Sequence, residues 1–280
     1  MGGFNACFTS NVLGGAGISS SASFELIVTE ILNFLYNEDK IDAEEKAKIA
    51  QFSENVYFGK PCGLLDQTAI AFGGLKRLDF SDPTKISVTE INNSLTDYTL
   101  ILVNTGGSHA DLTDEYAAIP KEMYDVATAM GKNRLIEVGE DNFYNELPNV
   151  YNKISDRAIL RAIHFFNENK RVDGVYDALN NKDYLTFIDM LNKSGESSLY
   201  MLQNCFVAGY NEQPIPKAIA LVKKILPNCA CRVHGGGFAG SILIVVKNEE
   251  KEYFLAEINK YFSKGDVIPL KVRAVGTIVL

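Results

Sequence analysis

The chain has 280 residues, of which 46% are hydrophobic, and a formal net charge of −8. That length suffices for a buried core and one or two domains, whereas the acidic balance argues against a general nucleic-acid binder. The uninterrupted apolar runs, such as residues 242–246, are far shorter than the ~20 residues of a membrane helix. The first thirty residues contain no Lys or Arg, so we expect no signal peptide and a soluble, cytoplasmic protein.

Cysteine and histidine usage argues against a disulfide framework and against a zinc site. The number of cysteines is odd, their spacing is irregular, and the three histidines are far apart in the sequence. We therefore expect free thiols in a reducing compartment. The cysteines are Cys7, Cys62, Cys205, Cys229 and Cys231.

Hydrophobic periodicity predicts helices and strands mixed along the whole chain, which favours an α/β or α+β fold over a bundle or a sandwich. Strands are expected at residues 4–9, 75–80, 98–104, 241–246 and 274–280. Helices are expected from the serines at 19–21 onward, and at about 42–58, 63–72, 111–130, 155–169, 183–193, 214–225 and 249–262.

The first two helices carry their own start signals. Serines precede the first helix and are good N-cap residues, and its apolar positions, such as Phe24, Ile27 and Leu35, have the spacing of an amphipathic helix. The second helix is expected to begin at Asp42, with Glu45 completing a capping box.

The glycine- and serine-rich segment at residues 14–23 is the strongest candidate for a phosphate-binding loop. Glycines allow close backbone approach to an anion, and the unpaired N–H groups and dipole of the following helix favour negative charge. Hydroxyls add donors and an oxygen ligand for Mg²⁺. The segment is neither a P-loop nor a Rossmann loop, and an ordinary strand–turn–helix connection remains the alternative.

Two carboxylates follow in positions that can carry chemistry. Glu54 is predicted to share a helix face with Ala47, Ala50 and Tyr57, where a carboxylate is costly unless it has a cation or metal as partner. The alternative is a half-buried helix on which Glu54 is solvated. Asp66 is either a simple N-cap residue or a carboxylate placed to accept a hydroxyl proton.

A second glycine-rich segment, residues 232–241, precedes a predicted strand. Four glycines within six residues cost backbone entropy, so the chain needs an unusual path or close packing there. We expect this loop to pack against the first loop and to contact a ligand. A long hairpin turn is the alternative.

In this order, four segments resemble the motifs of the GHMP kinase superfamily and, within it, of the galactokinase family. Residues 15–22 resemble the second motif, G-x-G-L-S-S-S-A, and residues 59–67 resemble the galactokinase segment G-x-P-C-G-I-M-D-Q. Residues 104–116 match the spacing of the N-S-x-x-x-H and E-Y segment. Residues 232–240 resemble the third motif, R-x-x-G-G-G-F-G-G, with Ala239 replacing one glycine.

The resemblance implies an α+β, two-domain GHMP kinase fold. Residues 1–95 are then the remainder of a ribosomal protein S5 domain 2-like N-terminal domain, and residues 96–280 a ferredoxin-like C-terminal domain. It also implies ATP-dependent phosphorylation of galactose to galactose 1-phosphate, with Mg²⁺ as cofactor. No nucleic-acid or membrane partner is expected, and the complete enzyme is expected to be a monomer.

The resemblance also assigns roles to single residues. The ATP phosphates are wrapped by Gly15, Ala16, Gly17, Ile18, Ser19, Ser20 and Ser21. Mg²⁺ is held by Ser21 and Glu54. The sugar lies near Gly63 and Tyr116, and Asp66 faces its anomeric hydroxyl as base or as orienting group. The third-motif loop contributes Gly235, Gly236 and Gly237.

The sequence departs from the galactokinase pattern in two places. Residues 117–120 follow Tyr116 where galactokinases usually carry an Arg pair, which resembles a divergent bacterial branch and leaves the exact sugar open. The family's first signature would lie upstream of residue 1, so we expect a fragment, a misassigned start or a truncated product. Two alternatives to a galactokinase therefore stay open: a non-catalytic sugar or nucleotide sensor, and a GHMP kinase for another alcohol.

Overall fold

A computed structural model of the chain describes residues 2–12, 17–59, 62–92, 95–106 and 112–280. The chain divides into two compact units, Met1–Ser94 with Val272–Leu280, and Leu95–Lys271. The expected boundary at residue 95 coincides with the first of these junctions, and the last nine residues lie with the first unit. Helices and antiparallel strands occur in both units, which confirms the α+β class, while the domain assignment stays a prediction.

Where its residues are described, the first unit contains three helices and a two-stranded antiparallel ribbon. Its elements are α1 (Ser20–Asn37), α2 (Ala43–Phe52), α3 (Leu65–Phe72), β1 (Lys76–Asp79) and β2 (Ser87–Glu90). A π-helical segment, Ser53–Tyr57, continues α2. The three helices lie where the sequence predicts them.

The helix starts are confirmed in position, and the Asp42 half of the predicted capping box is present at α2. The Asp42 carboxylate accepts a hydrogen bond from the Glu45 N–H over 2.9 Å at the start of α2. Ser19 precedes α1 in the left-handed region, with φ of 60°, and its side chain makes no cap hydrogen bond. The first helix therefore begins at the predicted serines without side-chain capping.

The buried face of α1 is not its most apolar one. Leu26 and Asn33 are buried, whereas Phe24 and Leu35 are about half exposed. The buried polar groups find partners: Glu30 forms a 2.7 Å ion pair with Lys46 of α2, and Asn33 donates to the Asp39 carboxylate and the Ile41 carbonyl. Such pairing allows a polar face to be buried.

The second unit contains a four-stranded antiparallel sheet and seven helices among the described residues. Its strands are β3 (Tyr98–Asn104), β4 (Ala230–Val233), β5 (Ser241–Lys247) and β6 (Val267–Leu270). Its helices are α4 (Thr113–Ala129), α5 (Leu135–Val138), α6 (Glu140–Val150), α7 (Asp156–Asn180), α8 (Tyr184–Ser197), α9 (Pro214–Ile225) and α10 (Lys251–Ile258). A π-helical segment, Ser198–Leu202, continues α8.

The strand order β4-β5-β3-β6, with antiparallel neighbours throughout, is that of the predicted ferredoxin-like fold. The central pair β3 and β5 places Leu102 opposite Leu243, and β6 places Ile268 on the other side of Leu102. Ile101 and Ile244 are fully buried, and α9 and α10 contribute to the same core. Within the described residues, no helix is both long and apolar enough to cross a membrane.

Two predicted strands are wrong. Residues 4–9 form no strand, because no strand among the described residues offers them a ladder of hydrogen bonds; Phe8 instead packs against Phe24, with ring centroids 5.2 Å apart. Residues 274–280 form no strand either. Their backbone packs against the end of α3, since a Cβ at Gly276 would lie 1.7 Å from the Ala71 carbonyl oxygen.

Candidate active site

A buried carboxylate lies beside the start of α1 in the first unit. Glu54 is only 4% exposed, and the Ser21 hydroxyl donates to its Oε1 over 3.2 Å. Ala47 and Ala50 on the same face are buried, as expected. The alternative of a solvated Glu54 is therefore wrong.

The helix around Glu54 is wider than an α-helix. The Phe58 N–H donates to the Ser53 carbonyl, a five-residue span that defines a π-turn. The extra residue in this turn takes Tyr57 away from the Glu54 face, and its side chain is 80% exposed. Its predicted place on that face is wrong for this reason. π-turns inside α-helices occur frequently at functional sites.

Gln67 holds the second oxygen of Glu54. Its Nε2 donates to Glu54 Oε2 over 3.2 Å and lies 3.5 Å from the Cys62 sulfur. Gln67 is 1% exposed, and its Oε1 has no hydrogen-bond partner among the described residues. An unsatisfied buried oxygen beside a buried carboxylate is a site where a cation or its water is favoured.

The segment before α3 is fastened to the helix that carries Glu54. Asn55 Oδ1 accepts from the Cys62 N–H over 2.7 Å, and Asn55 Nδ2 donates to the Cys62 carbonyl over 3.3 Å. Gln51 adds a 3.1 Å bond to the same carbonyl. Burial and the nearby Glu54 charge raise the pKa of the Cys62 thiol to about 11. These bonds fix where α3 begins relative to Glu54.

Asp66 lies in the first turn of α3 and is exposed, as is Gly63. The N-cap position belongs to Leu64, so the interpretation of Asp66 as the N-cap is wrong. No hydrogen-bond partner for its carboxylate occurs in the part of the chain that the structure describes, and the side chain remains accessible to a ligand. Its catalytic role stays a prediction.

The predicted phosphate loop is described only in part. Gly15 and Ala16 lie outside the described residues, as does His109 of the third segment. Gly17 and Ser19 both have positive φ, 71° and 60°, which turns the chain sharply into α1. The N-terminus of this 18-residue helix has no acidic residue in its first turn. Its unpaired N–H groups are thus suited to an anion.

The third-motif loop lies in the second unit and joins the antiparallel strands β4 and β5. The alternative that this segment is a long hairpin turn is therefore correct for its topology. The Tyr116 hydroxyl donates to the Gly237 carbonyl over 2.9 Å, and its ring meets Phe238 edge-on at 5.4 Å. A Cβ at Gly236 would lie 2.7 Å from the Tyr116 ring. The structure therefore brings Tyr116 and this loop together. Packing of the loop against the first loop stays a prediction.

Three amide side chains make contacts at these two places that the sequence does not reveal. Gln67 ends the galactokinase-like segment, but its contact with Glu54 has no sequence signal, and Asn55 and Asn204 lie outside the four motif segments. A buried amide that bridges backbone atoms leaves no periodic trace in a sequence, because its partners are distant along the chain.

Oxygen donors at the first-unit site fit a magnesium ion. Mg²⁺ prefers oxygen ligands and is commonly held by one or two carboxylates together with phosphate and water. Ser21, Glu54 and the unpaired Gln67 oxygen supply such atoms. The described residues hold no cluster of three or more His, Cys, Asp and Glu suited to a metal, so phosphate and water would have to complete the coordination.

A protein-family model matches most of the first unit. Residues 2–74 match the family model described as GHMP kinases N terminal domain. This span contains the Ser21, Glu54 and Asp66 positions.

Curated relatives cover nearly the whole chain. A galactokinase of Pyrococcus furiosus is 31% identical over 267 residues, which are 94% of this chain and 70% of that protein. A galactokinase of Limosilactobacillus reuteri is 29% identical over 265 residues, 93% of this chain and 65% of that protein. The chain thus spans about two thirds of the length of these relatives.

Solved structures share the fold. The structure of Lactococcus lactis galactokinase complexed with galactose matches with a TM-score of 0.79 at 22% identity, covering 96% of this chain and 69% of that one. The structure of L. major mevalonate kinase in complex with R-mevalonate matches with a TM-score of 0.63 at 15% identity, covering 95% and 69%. At these identities the similarity concerns the fold.

Proposed function

This chain belongs to the galactokinase family, and from that premise we propose that it transfers the γ-phosphoryl group of ATP to the anomeric hydroxyl of galactose. The product is galactose 1-phosphate. The observation that carries the proposal is 31% identity to a galactokinase over 94% of the chain. The buried pair of Ser21 and Glu54 supports it, since a kinase needs a cation site beside its phosphate loop.

ATP binds at the start of α1 in this proposal. The backbone and hydroxyls of residues 15–21 surround the phosphates, and the helix dipole stabilises their charge. Gly17 and Ser19, with their left-handed backbone, set the direction of the loop.

Ser21 and Glu54 are the proposed magnesium ligands. A bound Mg²⁺ neutralises the charge that develops on the phosphates during transfer. Gln67 orients the Glu54 carboxylate through the 3.2 Å bond to Oε2. The chain's own contribution is to hold this carboxylate in a buried position before the nucleotide arrives.

Asp66 is the proposed group at the sugar hydroxyl. It either accepts the hydroxyl proton or orients the hydroxyl for attack on the phosphorus. Its exposed position in the first turn of α3, on a segment held by Asn55, allows it to reach a bound ligand. Gly63 and Tyr116 are the proposed sugar neighbours, and the cytoplasmic location and monomeric state remain predictions.

The test is ADP release by the full-length gene product with ATP, Mg²⁺ and a panel of alcohols that includes galactose, mevalonate and homoserine. We expect turnover with galactose. Turnover only with another alcohol would replace the proposed substrate, and binding without turnover would support a non-catalytic sensor.

Asp66→Asn tests the assigned role, with Asp156→Asn as its control. Asp156 is also an exposed aspartate, in the first turn of α7. Asp156→Asn therefore loses the same kind of helix-dipole interaction as Asp66→Asn. We expect Asp66→Asn alone to lower kcat, by roughly 10²–10⁴-fold. Full activity of the Asp66 variant would remove this residue from the mechanism.

A further inference from the structure

One buried asparagine in the second unit contacts the third-motif loop through both its backbone and its side chain. Asn204 is 4% exposed, its carbonyl accepts the Phe238 N–H over 2.5 Å, and its Nδ2 donates to the Gly236 carbonyl over 3.0 Å. A Cβ at Gly237 would lie 2.0 Å from the Asn204 carbonyl. The loop is therefore shaped around this asparagine.

The conformation that these bonds hold is strained. Phe238 has φ of 59°, in a region that costs a non-glycine residue free energy and persists only when its surroundings enforce it. Its ring is 4% exposed and packs edge-on against Tyr116. The bonds to Asn204 hold the two peptide units on either side of Gly237, directly before Phe238.

The backbone segment that precedes Asn204 is itself held in place by hydrogen bonds. It follows the π-helical segment Ser198–Leu202, and Gln203 between them has φ of 57°. Arg161, which is fully buried, donates to the Leu202 carbonyl over 3.1 Å and to the Glu122 carboxylate over 2.9 Å. The segment before Asn204 is thereby fastened to α4 and α7.

The third-motif loop, held by Asn204, in turn contacts Tyr116. Gly236 leaves the space that the Tyr116 ring occupies, and Gly237 accepts the hydrogen bond of its hydroxyl. We infer that Asn204 is a positioning residue that sets the third-motif loop and, through Gly236 and Gly237, the ring of Tyr116. The effect on sugar binding rests on the proposed function, whereas the effect on the loop does not.

Two substitutions separate hydrogen bonding from packing. Asn204→Ala removes the Nδ2 donor and leaves the backbone bond to Phe238 possible. Asn204→Asp keeps the volume but places a carboxylate oxygen against the Gly236 carbonyl. If the amide donor positions the loop, Asp disturbs it more than Ala; if only the volume matters, Asp disturbs it less.

Asn192 provides a matched control. It also bridges backbone atoms, with Nδ2 donating to the Cys229 carbonyl over 3.2 Å and Oδ1 accepting from the Cys231 N–H over 3.0 Å. These bonds restrain the start of β4. Asn192→Ala therefore removes a similar side-chain bridge at a place outside the third-motif loop.

Hydrogen exchange of residues 234–240 in the full-length protein is the first measurement. We expect Asn204→Ala to raise the exchange rates of the loop amides by about tenfold and Asn192→Ala to leave them within about twofold. Equal exchange in the two variants would overturn the inference even if the protein is an active kinase.

Galactose kinetics are the second measurement. We expect Asn204→Ala to raise the KM for galactose about fivefold, the size of one neutral hydrogen bond, with a smaller change in the KM for ATP. Combined with Tyr116→Phe, the two effects should be non-additive, because both act on the same loop. A rise confined to the ATP KM, or strict additivity, would overturn the route through Tyr116. If the loop loosens but the wild-type protein does not turn over galactose, the proposed function fails while the positioning role stands.

Discussion

In the first unit the candidate site is a buried carboxylate held by side chains, whereas in the second it is a stretch of backbone held in a strained path. Glu54 receives hydrogen bonds from Ser21 and Gln67, and its charge makes the position useful for a cation. The third-motif loop depends on the absence of side chains at Gly236 and Gly237. The first site is thus sensitive to a change of charge, and the second to a change of shape.

The hydrophobic cores of the two units also differ, in size and in the polar groups that lie beside them. The first-unit cluster around Leu26 consists of four buried residues, three of them alanines, and polar pairs such as Glu30 with Lys46 lie beside it. Among the described residues, the second unit has two larger clusters, one of sixteen buried residues centred on the sheet and one of nine formed by α4 to α7. The first unit therefore relies more on hydrogen bonds and ion pairs, which orient groups more specifically than apolar contacts do.

Among the changes that contrast the two units, removing the charge of Glu54 should have the largest effect. Glu54→Gln keeps the volume and one acceptor, so we expect the fold to persist while kcat falls by roughly 10²–10³-fold, as metal-ion stabilisation is worth several kcal/mol. The measurement is kcat as a function of Mg²⁺ concentration, with thermal unfolding in parallel. Glu45→Gln, an exposed position on α2, should change neither. A Glu54 variant with wild-type kcat would show that charge is not what this site contributes.

Adding one methyl group to the third-motif loop should have the next largest effect. At Gly237, with φ of 83°, a Cβ meets the Asn204 backbone, so Gly237→Ala should lower the free energy of unfolding by about 2–4 kcal/mol. Gly209 has nearly the same φ, 84°, and nothing within 4 Å of its Cβ position.

Gly209→Ala therefore measures backbone strain alone, which costs about 1–2 kcal/mol. Denaturant unfolding of both variants gives the difference. Equal losses for the two glycines would mean that the loop yields to the added methyl group, contrary to a site defined by shape.

The pH dependence of stability tests how tightly the second unit buries its polar groups. His164 donates to or accepts from the Ser197 hydroxyl at 2.9 Å, and burial lowers its pKa to about 4, with Arg171 and Arg232 opposing and Glu168 favouring its charged form. The unfolded state therefore binds the proton first, so stability should fall as pH drops from about 6.5 to 4 and level off below.

The full loss from His164 is about 3 kcal/mol. Urea unfolding between pH 4 and 7, compared with His164→Asn, isolates this contribution, because other groups titrate in both proteins. If the two proteins show the same slope between pH 6.5 and 4, the imidazole is not kept neutral by the fold.

The smallest expected effect concerns the thiol beside Glu54. Because the Cys62 pKa is raised to about 11, little thiolate exists at pH 8, and alkylation should be at least about tenfold slower than at the exposed Cys7. Rates of iodoacetamide labelling followed by peptide mass spectrometry give the ratio. Glu54→Gln should bring the labelling rates of Cys62 and Cys7 closer together, since part of the pKa shift of Cys62 comes from the Glu54 charge. An unchanged ratio would show that Glu54 does not contribute to the raised pKa.

Local signals predicted much of the fold. Periodicity located α1, α2, α3, β3 and β5, and the Asp42 cap was correct in its atomic contact. The missed elements include β4 and β6, which are strands only because β5 and β3 lie beside them, and the eleven-residue helix α6, which contains Pro148. Residues 4–9 show the reverse, since their strand pattern finds no pairing strand in the part of the chain that the structure describes.

For the candidate sites, the sequence by itself determined which residue types are present and in what order: the serines before α1, Glu54, Asp66 and the glycines of residues 235–237. Tertiary structure alone decided how they meet. The π-turn that takes Tyr57 off the Glu54 face, the Gln67 bond that orients Glu54 and the Asn204 bridge all join residues distant along the chain or alter helix geometry by a single residue. A hydrogen bond depends on angles and distances of a few tenths of an ångström, and those follow from packing.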